Sequence, residues 1–347
     1  MSKILITGSA GLVGSECAEY FCSKGYDVIG VDNDMRARFF GKEASTICNS
    51  ELLQKKYKNY HHYSCDIVSE RDMVIPFAHC NDIELIIHTA AQPSHDYATD
   101  HAELDFSVNA FGTLNLLELF RKHCPEGTFI FTSTNKVYGN LPNKLPCFEK
   151  ETRWEIRRYH PYYSGIDETM SIDQCKHSLF GVSKASADLM VQEYGRYFGL
   201  NTACFRCGCL TGSRHSGVEL HGFLSYLMKC AINKTTYTIN GYKGKQVRDN
   251  LHSADLVEAF YKFYKNPKSG EVYNLGGGRE NSCSILEAIK LCEEITGNKM
   301  KTEYDEKHRS GDHKWWISNN DKFKRQYGFE LKYDLMAILT DIYEENK

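Results

Sequence analysis

The sequence predicts an α/β protein built on a doubly wound parallel sheet with helices on both faces. Three observations support this class. Short apolar runs alternate with longer amphipathic stretches, as in repeated strand–helix units. The strand-like runs are apolar almost throughout, which is typical of strands buried on both faces. The composition is that of a globular protein, with 41% hydrophobic and 25% charged residues in 347.

The individual elements follow from these runs and from helical periodicity, as at Leu114, Leu117 and Phe120, which share one predicted helix face. The predicted strands are Lys3–Thr7, Asp27–Asp32, Tyr60–Asp66, Glu84–Thr89, Thr128–Thr132, Thr202–Leu210 and Glu271–Leu275. The main predicted helices are Leu12–Lys24, Val108–His123, Ser183–Phe198 and Ser284–Thr296.

Charge and hydropathy exclude several function classes. A net charge of −3 argues against bulk binding to nucleic acid or to an anionic membrane. No apolar run approaches the length of a membrane helix, and the N-terminus lacks a signal-peptide pattern, so we expect a cytoplasmic protein with reduced thiols. Of the 14 cysteines, Cys204, Cys207 and Cys209 form the tightest cluster, but side chains alternate along a strand. We therefore expect buried thiols and no metal site.

A glycine cluster lies between the first predicted strand and the first predicted helix. Gly8, Gly11 and Gly14 are spaced G-x-x-G-x-x-G, which lets the backbone approach a pyrophosphate at the helix N-terminus. Asp32 ends the second predicted strand, where a carboxylate can bind a ribose 2′-hydroxyl. Together these residues predict a dinucleotide site.

The charges around the second strand bear on which dinucleotide binds. Asp32 would repel a 2′-phosphate and favours NAD, whereas Arg36 and Arg38 nearby would favour NADP. Because Asp32 occupies the hydroxyl-binding position itself, we predict NAD.

A set of further motifs extends over almost the whole chain. These motifs are TGSAGLVGS at 7–15, Asp66-Ile67, HTAA at 88–91, VNAFGTLNLLE around Asn109, FTST at 131–134, VYG at 137–139, GVSK at 181–184, QVRD at 246–249 and RSGD at 309–312. As a set they resemble the extended short-chain dehydrogenase/reductases that epimerise or dehydrate nucleotide sugars. The resemblance implies a Rossmann-type NAD-binding lobe over 1–178, continued by about 179–212 and 250–265. It implies a smaller C-terminal α/β substrate lobe from about 213–249 and 266–347.

The resemblance also implies site residues. Those expected to contact NAD are Gly8, Gly11, Leu12, Val13, Gly14, Asp32, Asn33, Arg36, Asp66, Ile67, Ala90, Ala91, Gln92, Asn109, Thr132 and Lys184. Those expected to contact the nucleotide sugar are Ser94, His95, Thr134, Asn135, Thr211, Glu219, His221, Phe223, Gln246, Arg248 and Arg309. The two arginines suit a diphosphate, since guanidinium matches phosphate oxygens bidentately.

One position departs from the family pattern. Family members use a Tyr-x-x-x-Lys pair, in which the lysine favours the phenolate that serves as base. Here Lys184 is present, but Phe180 stands at the tyrosine position and cannot carry a proton. Thr134 occupies the family's Ser/Thr position, where it can hydrogen-bond the reacting hydroxyl.

A replacement for the missing base is expected just upstream of Phe180. Tyr163 or Tyr162, in a polar insertion, is our first hypothesis, and His177 is the second because imidazole titrates near neutral pH. The competing interpretation is that each of these three residues lies in an exposed loop and has no catalytic role.

The implied reaction is epimerisation by transient oxidation and re-reduction of a ring carbon. Finer similarity favours C2 of a CDP-hexose. A 4-epimerase, a dehydratase, a dehydrogenase or a catalytically impaired binding protein are the alternatives. The dehydratases usually place Asp-Glu after the Thr134 position, where this chain has Asn135-Lys136. The resemblance also implies a homo-oligomer formed through Val108–His123 and Ser183–Phe198.

Overall fold

A computed structural model describes residues 2–78, 82–212, 214, 222–309 and 311–347. The strands are β1 (Lys3–Thr7), β2 (Asp27–Val31), β3 (Tyr60–Tyr63), β4 (Ile83–His88), β5 (Thr128–Thr134), β6 (Phe148–Glu149), β7 (Trp154–Glu155), β8 (Asn201–Cys207), β9 (Cys209–Thr211), β10 (Thr236–Asn240), β11 (Val247–His252), β12 (Glu271–Leu275), β13 (Ser282–Ser284) and β14 (Lys301–Asp305). The α-helices are α1 (Leu12–Ser23), α2 (Met35–Phe40), α3 (Ile47–Lys56), α4 (Glu70–Ala78), α5 (His95–Asp100), α6 (Ala102–Phe106), α7 (Gly112–His123), α8 (Leu179–Phe198), α9 (Phe223–Asn233), α10 (Ser253–Lys265), α11 (Ile285–Thr296), α12 (Asp321–Tyr327) and α13 (Leu335–Asn346).

The central sheet has seven strands in the order β12-β8-β5-β4-β1-β2-β3. The pairings that join β3, β2, β1, β4 and β5 are all parallel. Successive residues Ile4, Leu5 and Ile6 of β1 are fully buried, so both faces of the sheet are covered. The predicted doubly wound α/β fold is confirmed. From β1 the chain adds β2 and β3 on one side and then crosses over to add β4 on the other side of β1. Open sheets bind ligands at the carboxyl ends of the strands at such a point.

The chain divides into two compact units. The first comprises Met1–Val137, Leu179–Arg206 and Leu256–Tyr273, and the second comprises Tyr138–Ser178, Cys207–Asp255 and Asn274–Lys347. We expected 138–178 in the nucleotide-binding lobe, but it groups with the second unit. Its backbone explains this, because Ile166 donates to the carbonyl of Ile317 and accepts from the amide of Asn319.

Helix packing in the first unit follows the predicted periodicity. On one face of the sheet, apolar residues of α4, α7 and α8 join Leu5 of β1 and Ile29 of β2 in a single buried cluster. The α7 stripe contributes Leu116, Leu117 and Phe120, all of them fully buried. Leu117 and Phe120, predicted from the sequence, therefore mark the core side of this helix, whereas Leu114, predicted to share their face, is half-buried.

The predicted helix Val108–His123 begins inside a longer helical segment that starts at Ala102 and contains a π turn. Residues Ser107–Phe111 form a π-helical turn, and the regular α-helix α7 starts at Gly112. Inside this wide turn Val108, Asn109 and Ala110 are buried. Single π turns within α-helices occur frequently at functional sites.

The predicted strand Thr202–Leu210 is interrupted at Gly208, which separates β8 from β9. A Cβ at Gly208 would lie 2.5 Å from Oδ1 of Asp249. Close approach of this carboxylate to the backbone requires glycine and ends the regular strand there.

The second unit contains a small sheet in which β11 pairs parallel to β9 and antiparallel to β13. Helices α9, α11 and α13 enclose a separate apolar core. Helix α11 starts with a capping box, in which Ser284 and Glu287 each bind the other's backbone amide.

The described cysteines are free thiols. Burial raises the pKa of Cys124 to about 12 and that of Cys147 to about 11. Cys204 and Cys207 are buried, and Cys209 is half-buried. Across the described residues, no three His, Cys, Asp or Glu side chains are grouped as metal ligands. None of the helices in the described part of the chain combines the length and apolar character needed to cross a membrane.

Asp249 on β11 is a fully buried carboxylate in the second unit. Its Oδ2 accepts the amides of Ser318 at 2.9 Å and Gly278 at 3.2 Å. Its Oδ1 has no hydrogen-bond partner among the described residues. Burial raises the pKa of Asp249 from 3.8 to about 6, so ionisation opposes folding.

Replacing Asp249 with asparagine is expected to remove a pH-dependent loss of stability. Between the ordinary and raised pKa values the folded wild type binds more protons than the unfolded chain, so rising pH destabilises it. The free energy of unfolding of Asp249→Asn minus that of wild type should therefore increase by about 2–3 kcal/mol between about pH 4 and 7. Urea titrations across this range measure it. Asp173→Asn, at an exposed position in the same unit, is the control, and a difference for Asp249→Asn that does not vary with pH would contradict the expectation.

Candidate active site

The glycine loop connects β1 to α1 at the carboxyl edge of the sheet. Gly8 has φ +67°, and its amide donates to the Val31 carbonyl at 2.8 Å. A Cβ at Gly14 would lie 2.0 Å from the Gly8 carbonyl oxygen. Gly11 is the N-cap of α1 and has no side chain to satisfy the first-turn amides. This close-packed loop leaves the amino end of α1 as a cradle for an anion.

Asp32 follows β2 and is bonded to this loop. Its Oδ2 accepts the Ala10 amide at 3.0 Å, and its Oδ1 accepts the Asp34 amide at 2.8 Å. Burial raises the pKa of Asp32 above its ordinary value. The carboxylate is thus held at the end of β2, beside the glycine loop. Asn33 after it is exposed, and the Arg36 guanidinium lies over the Phe40 ring.

Two further expected cofactor segments follow strands of the same sheet. After β3, Asp66 accepts the Val68 amide at 3.0 Å, and the Ile67 carbonyl accepts from Asn115. After β4, the Ala90 amide donates to Thr7 Oγ1 at 3.3 Å, and Ala91 is half-buried. Leu12 and Val13 open α1.

A buried hydrogen-bond network fixes the loop after β4. The Gln92 amide donates to Asn109 Oδ1 at 2.9 Å, and Gln92 Nε2 donates to Asp105 at 2.6 Å. Asn109 Nδ2 in turn donates to the Gln92 carbonyl and to Ser183 Oγ, each at 3.0 Å. Gln92 and Asn109 were expected near NAD. Their contact with NAD stays a prediction, and the structure shows that they join the loop, the π turn and α8.

Lys184 lies on α8, one residue beyond this network, and is 4% exposed. Its Nζ donates to the Thr132 carbonyl at 2.9 Å and lies 4.2 Å from the centroid of the Phe131 ring. The Thr132 Oγ1 atom is buried and has no hydrogen-bond partner among the described residues. Two residues further along β5, Thr134 Oγ1 accepts the Lys136 amide at 3.2 Å, and Asn135 beside it is buried. The lysine and the Thr134 hydroxyl therefore belong to the same edge of the sheet.

Phe180, at the departure from the family pattern, lies one helical turn before Lys184 and is buried. Its ring meets the imidazole of His95 edge to face, with the ring centroids 4.8 Å apart. His95 is the first residue of α5, and Ser94 is its N-cap. The sequence placed Ser94 and His95 near the sugar but held no signal for their contact with Phe180.

In the second unit, the expected diphosphate ligand Arg248 is 7% exposed and forms an ion pair with Asp312. Arg309, in the same motif as Asp312, is half-buried. The Gln246 side chain donates to the Asn240 carbonyl at 3.0 Å, while its Oε1 is buried without a partner in the described chain.

The remaining expected sugar contacts in this unit are placed in part. Thr211 is buried at the end of β9, and its hydroxyl has no partner within the described ranges. Phe223 begins α9 and packs on the apolar core of the second unit. Glu219 and His221 lie outside the described residues.

The hypothesised replacement bases also lie in the second unit. The Tyr163 ring is covered by the Arg279 guanidinium, 3.9 Å from the ring centroid, and the Tyr163 carbonyl accepts from the same side chain. Tyr162 is half-buried. His177 lies 3.6 Å from the Cys175 sulfur. Their catalytic roles remain predictions.

Comparison with known proteins places this site in a family. The model of the NAD-dependent epimerase/dehydratase family matches residues 4–276. The chain belongs to that family. It is 33% identical to CDP-paratose 2-epimerase of Salmonella typhi over 309 residues, covering 86% of each chain. It is 30% identical to a dTDP-glucose 4,6-dehydratase of Escherichia coli over 317 residues, covering 86% of this chain and 78% of the dehydratase.

Solved structures of other family proteins share the fold. UDP-glucose 4-epimerase of Thermotoga maritima, solved with UDP-glucose, superposes with a TM-score of 0.79 at 26% identity and covers 99% of this chain and 98% of that one. A UDP-glucose 4-epimerase of Thermus thermophilus in complex with NAD gives the same TM-score at 21% identity, with the same coverage. The predicted resemblance and the predicted cofactor, NAD, are both confirmed.

The residues of this epimerase/dehydratase family member fit a dinucleotide. The glycine cradle admits no Cβ at Gly14, and the carboxylate of Asp32 stands beside it. The orphaned Thr132 hydroxyl adds a buried polar atom next to Lys184. Sequence reasoning missed two supporting residues, Ser183 and Asp312, although both lie inside motifs that it had already singled out.

Proposed function

We propose that this chain is an NAD-dependent nucleotide-sugar epimerase that inverts C2 of a CDP-linked hexose by transient oxidation and re-reduction. The observation that carries the reaction type is one edge of the sheet in the first unit. The glycine cradle and Asp32 follow β1 and β2 there, Thr134 ends β5, and Lys184 of α8 donates to the Thr132 carbonyl of the same strand. The CDP-hexose and the carbon rest on the similarity to CDP-paratose 2-epimerase of Salmonella typhi.

Binding and orientation come from the chain itself. Asp32 would accept hydrogen bonds from a ribose of NAD, and the α1 amino end would hold its pyrophosphate. Bound NAD supplies a reversible hydride acceptor. Lys184 keeps a positive charge at this edge of the sheet, anchored to the Thr132 carbonyl. Thr134 would hydrogen-bond the reacting hydroxyl, and Arg248 and Arg309 would bind the substrate diphosphate.

Dehydration is the second candidate reaction, because a dTDP-glucose 4,6-dehydratase is 30% identical to this chain. Elimination of water needs a general acid for the leaving hydroxyl. This chain has the amide of Asn135 and the ammonium of Lys136 where the dehydratases usually have an acidic pair. The side-chain chemistry at these two positions favours epimerisation.

The deciding experiment incubates the protein with NAD and CDP-paratose in D2O and follows the sugar signals by NMR. Oxidation and hydride return predict inversion at C2 with no deuterium on that carbon. Deuterium at C2 would indicate deprotonation instead. UDP-glucose and dTDP-glucose, run in parallel, report 4-epimerisation and dehydration. Conversion of none of these sugars by protein that binds NAD would favour a binding protein, in line with Phe180.

We also propose that the chain forms a homo-oligomer. Several large apolar side chains of α6, the π turn and α8 are each more than two-fifths exposed in a single copy of the chain. They are Phe106, Phe111, Leu179, Val182 and Leu189. An exposed apolar set of this kind is typical of an interaction surface. Sedimentation velocity should give a dimer or a larger assembly, and a monomer at micromolar concentration would contradict this proposal.

A further inference from the structure

We propose that His95 is the proton-transfer residue of this enzyme, in the role for which its relatives use tyrosine. The proposal rests on the epimerase function proposed above. The carrying observation is that the His95 imidazole lies against the ring of Phe180, with the centroids 4.8 Å apart and the planes at 69°. Phe180 lacks the phenolic hydroxyl of the family's tyrosine, and a titratable ring stands beside it in the same unit.

His95 is held in place by buried backbone contacts. The Gln92 side chain binds both backbone groups of Ser94, accepting its amide at 2.6 Å and donating to its carbonyl at 2.9 Å. Ser94 then caps α5 by accepting the Tyr97 amide. The residue that carries the imidazole is therefore fixed by its neighbours on both sides, as a preorganised catalytic group requires.

The same network fixes His95 relative to Lys184. Asn109 Nδ2 donates both to the Gln92 carbonyl and to Ser183 Oγ, so the segment just before His95 and the start of α8 share one buried anchor. Phe180 and Lys184 lie one turn apart on that helix. The imidazole, the Phe180 ring and the lysine thus form one positioned group within the first unit.

The chemistry of imidazole suits the step. In the forward direction a neutral imidazole nitrogen would take the proton of the substrate hydroxyl as the carbon bearing that hydroxyl is oxidised to a carbonyl, and bound NAD would supply the hydride acceptor for this oxidation. In the return direction the imidazolium would give the proton back to the carbonyl oxygen as the carbon is reduced on its other face. Histidine can make both transfers near neutral pH.

The first test replaces His95 with glutamine and, separately, with alanine. For both variants we expect kcat for the proposed epimerisation to fall by about 10²–10⁴-fold, the usual contribution of a positioned acid/base group. NAD affinity, substrate KM and the thermal midpoint should stay near the wild-type values. His123→Gln is the control, because His123 is an exposed histidine in the last turn of α7 in the same unit. It should retain full activity.

The second test restores the family residue. In His95→Ala the space beside Phe180 opens, so adding Phe180→Tyr places a phenol one turn before Lys184. We expect kcat of the double variant to be at least about tenfold higher than kcat of His95→Ala, because the tyrosine and lysine then form the family pair.

Three outcomes would overturn the proposal. The first is turnover within about threefold of wild type in both His95 variants, since a general acid/base contributes far more. The second is loss of turnover in Tyr162→Phe, Tyr163→Phe or His177→Gln while His95→Gln stays active. The third is that the wild type converts no nucleotide sugar, in which case the proposed function fails as well. An active wild type with active His95 variants refutes only the role of His95.

Discussion

Gly14→Ala is expected to abolish NAD binding. The added Cβ would stand 2.0 Å from the Gly8 carbonyl oxygen and 2.7 Å from its carbon. Both are backbone atoms, and Gly8 is itself held in a left-handed conformation by its contact with the Val31 carbonyl. The loop must therefore open, and the cradle at the amino end of α1 is lost. Isothermal titration with NAD should show a loss of affinity of at least about 100-fold, and NAD should no longer raise the thermal midpoint.

Gly25→Ala is the matched control at the other end of the same helix. Gly25 has a positive φ, +84°, which Gly14 does not, and a Cβ at Gly25 meets nothing within 4 Å. This variant should lose about 1–2 kcal/mol through backbone strain alone and bind NAD as tightly as the wild type. If Gly14→Ala and Gly25→Ala bind NAD equally well, the glycine loop is not the cofactor cradle.

Asp188→Ala is expected to destabilise the first unit by about 3–5 kcal/mol. Asp188 on α8 and Arg206 on β8 form a buried bidentate ion pair, with N–O distances of 2.6 and 3.1 Å. The same carboxylate accepts Ser133 Oγ at 2.5 Å and Gln192 Nε2 at 2.6 Å. Removing it takes away the countercharge of a buried guanidinium together with two further bonds, which is more costly than deleting an exposed pair.

Urea unfolding measures this loss, and Glu193→Gln on the same helix provides the comparison. Glu193 and Arg196 form a pair in which both side chains are more than half exposed, so its loss should change stability by no more than about 0.5 kcal/mol. Similar unfolding midpoints for Asp188→Ala and Glu193→Gln would show that the buried network contributes little. Because Ser133 directly precedes Thr134, the Asp188 variant should also lower turnover.

The sheet was predictable because its strands carry a redundant signal. Consecutive residues Ile4, Leu5 and Ile6 are all buried, so β1 appears in the sequence as an unbroken apolar run. The predicted bounds of β1 and β12 are the same as the observed ones. The break at Gly208 was not predictable, since its cause is a carboxylate some forty positions along the chain. The π turn was also missed, because helical periodicity assumes a constant number of residues per turn.

The site divides in the same way. Gly14 and Asp32 were predicted correctly as parts of a dinucleotide site because the glycine spacing and an acidic residue at a strand end can each be recognised in a short stretch of sequence. Phe180 was identified as a departure from the family pattern, but its neighbour His95 begins α5, far away in the sequence. Only tertiary structure brings those rings together. Arg248 was expected to bind a diphosphate. Its ion pair with Asp312 connects the motifs at 246–249 and 309–312, a contact that could not be predicted from either motif alone.

The two bonds of the Asp32 carboxylate have a consequence for the evolution of cofactor choice. One oxygen holds the glycine loop through Ala10, and the other holds the turn into α2 through Asp34. A substitution at Asp32 that admitted a 2′-phosphate would at once release both backbone segments. The residue that selects the cofactor therefore also holds the backbone around it. A change from NAD to NADP would require new hydrogen-bond acceptors for the amides of Ala10 and Asp34.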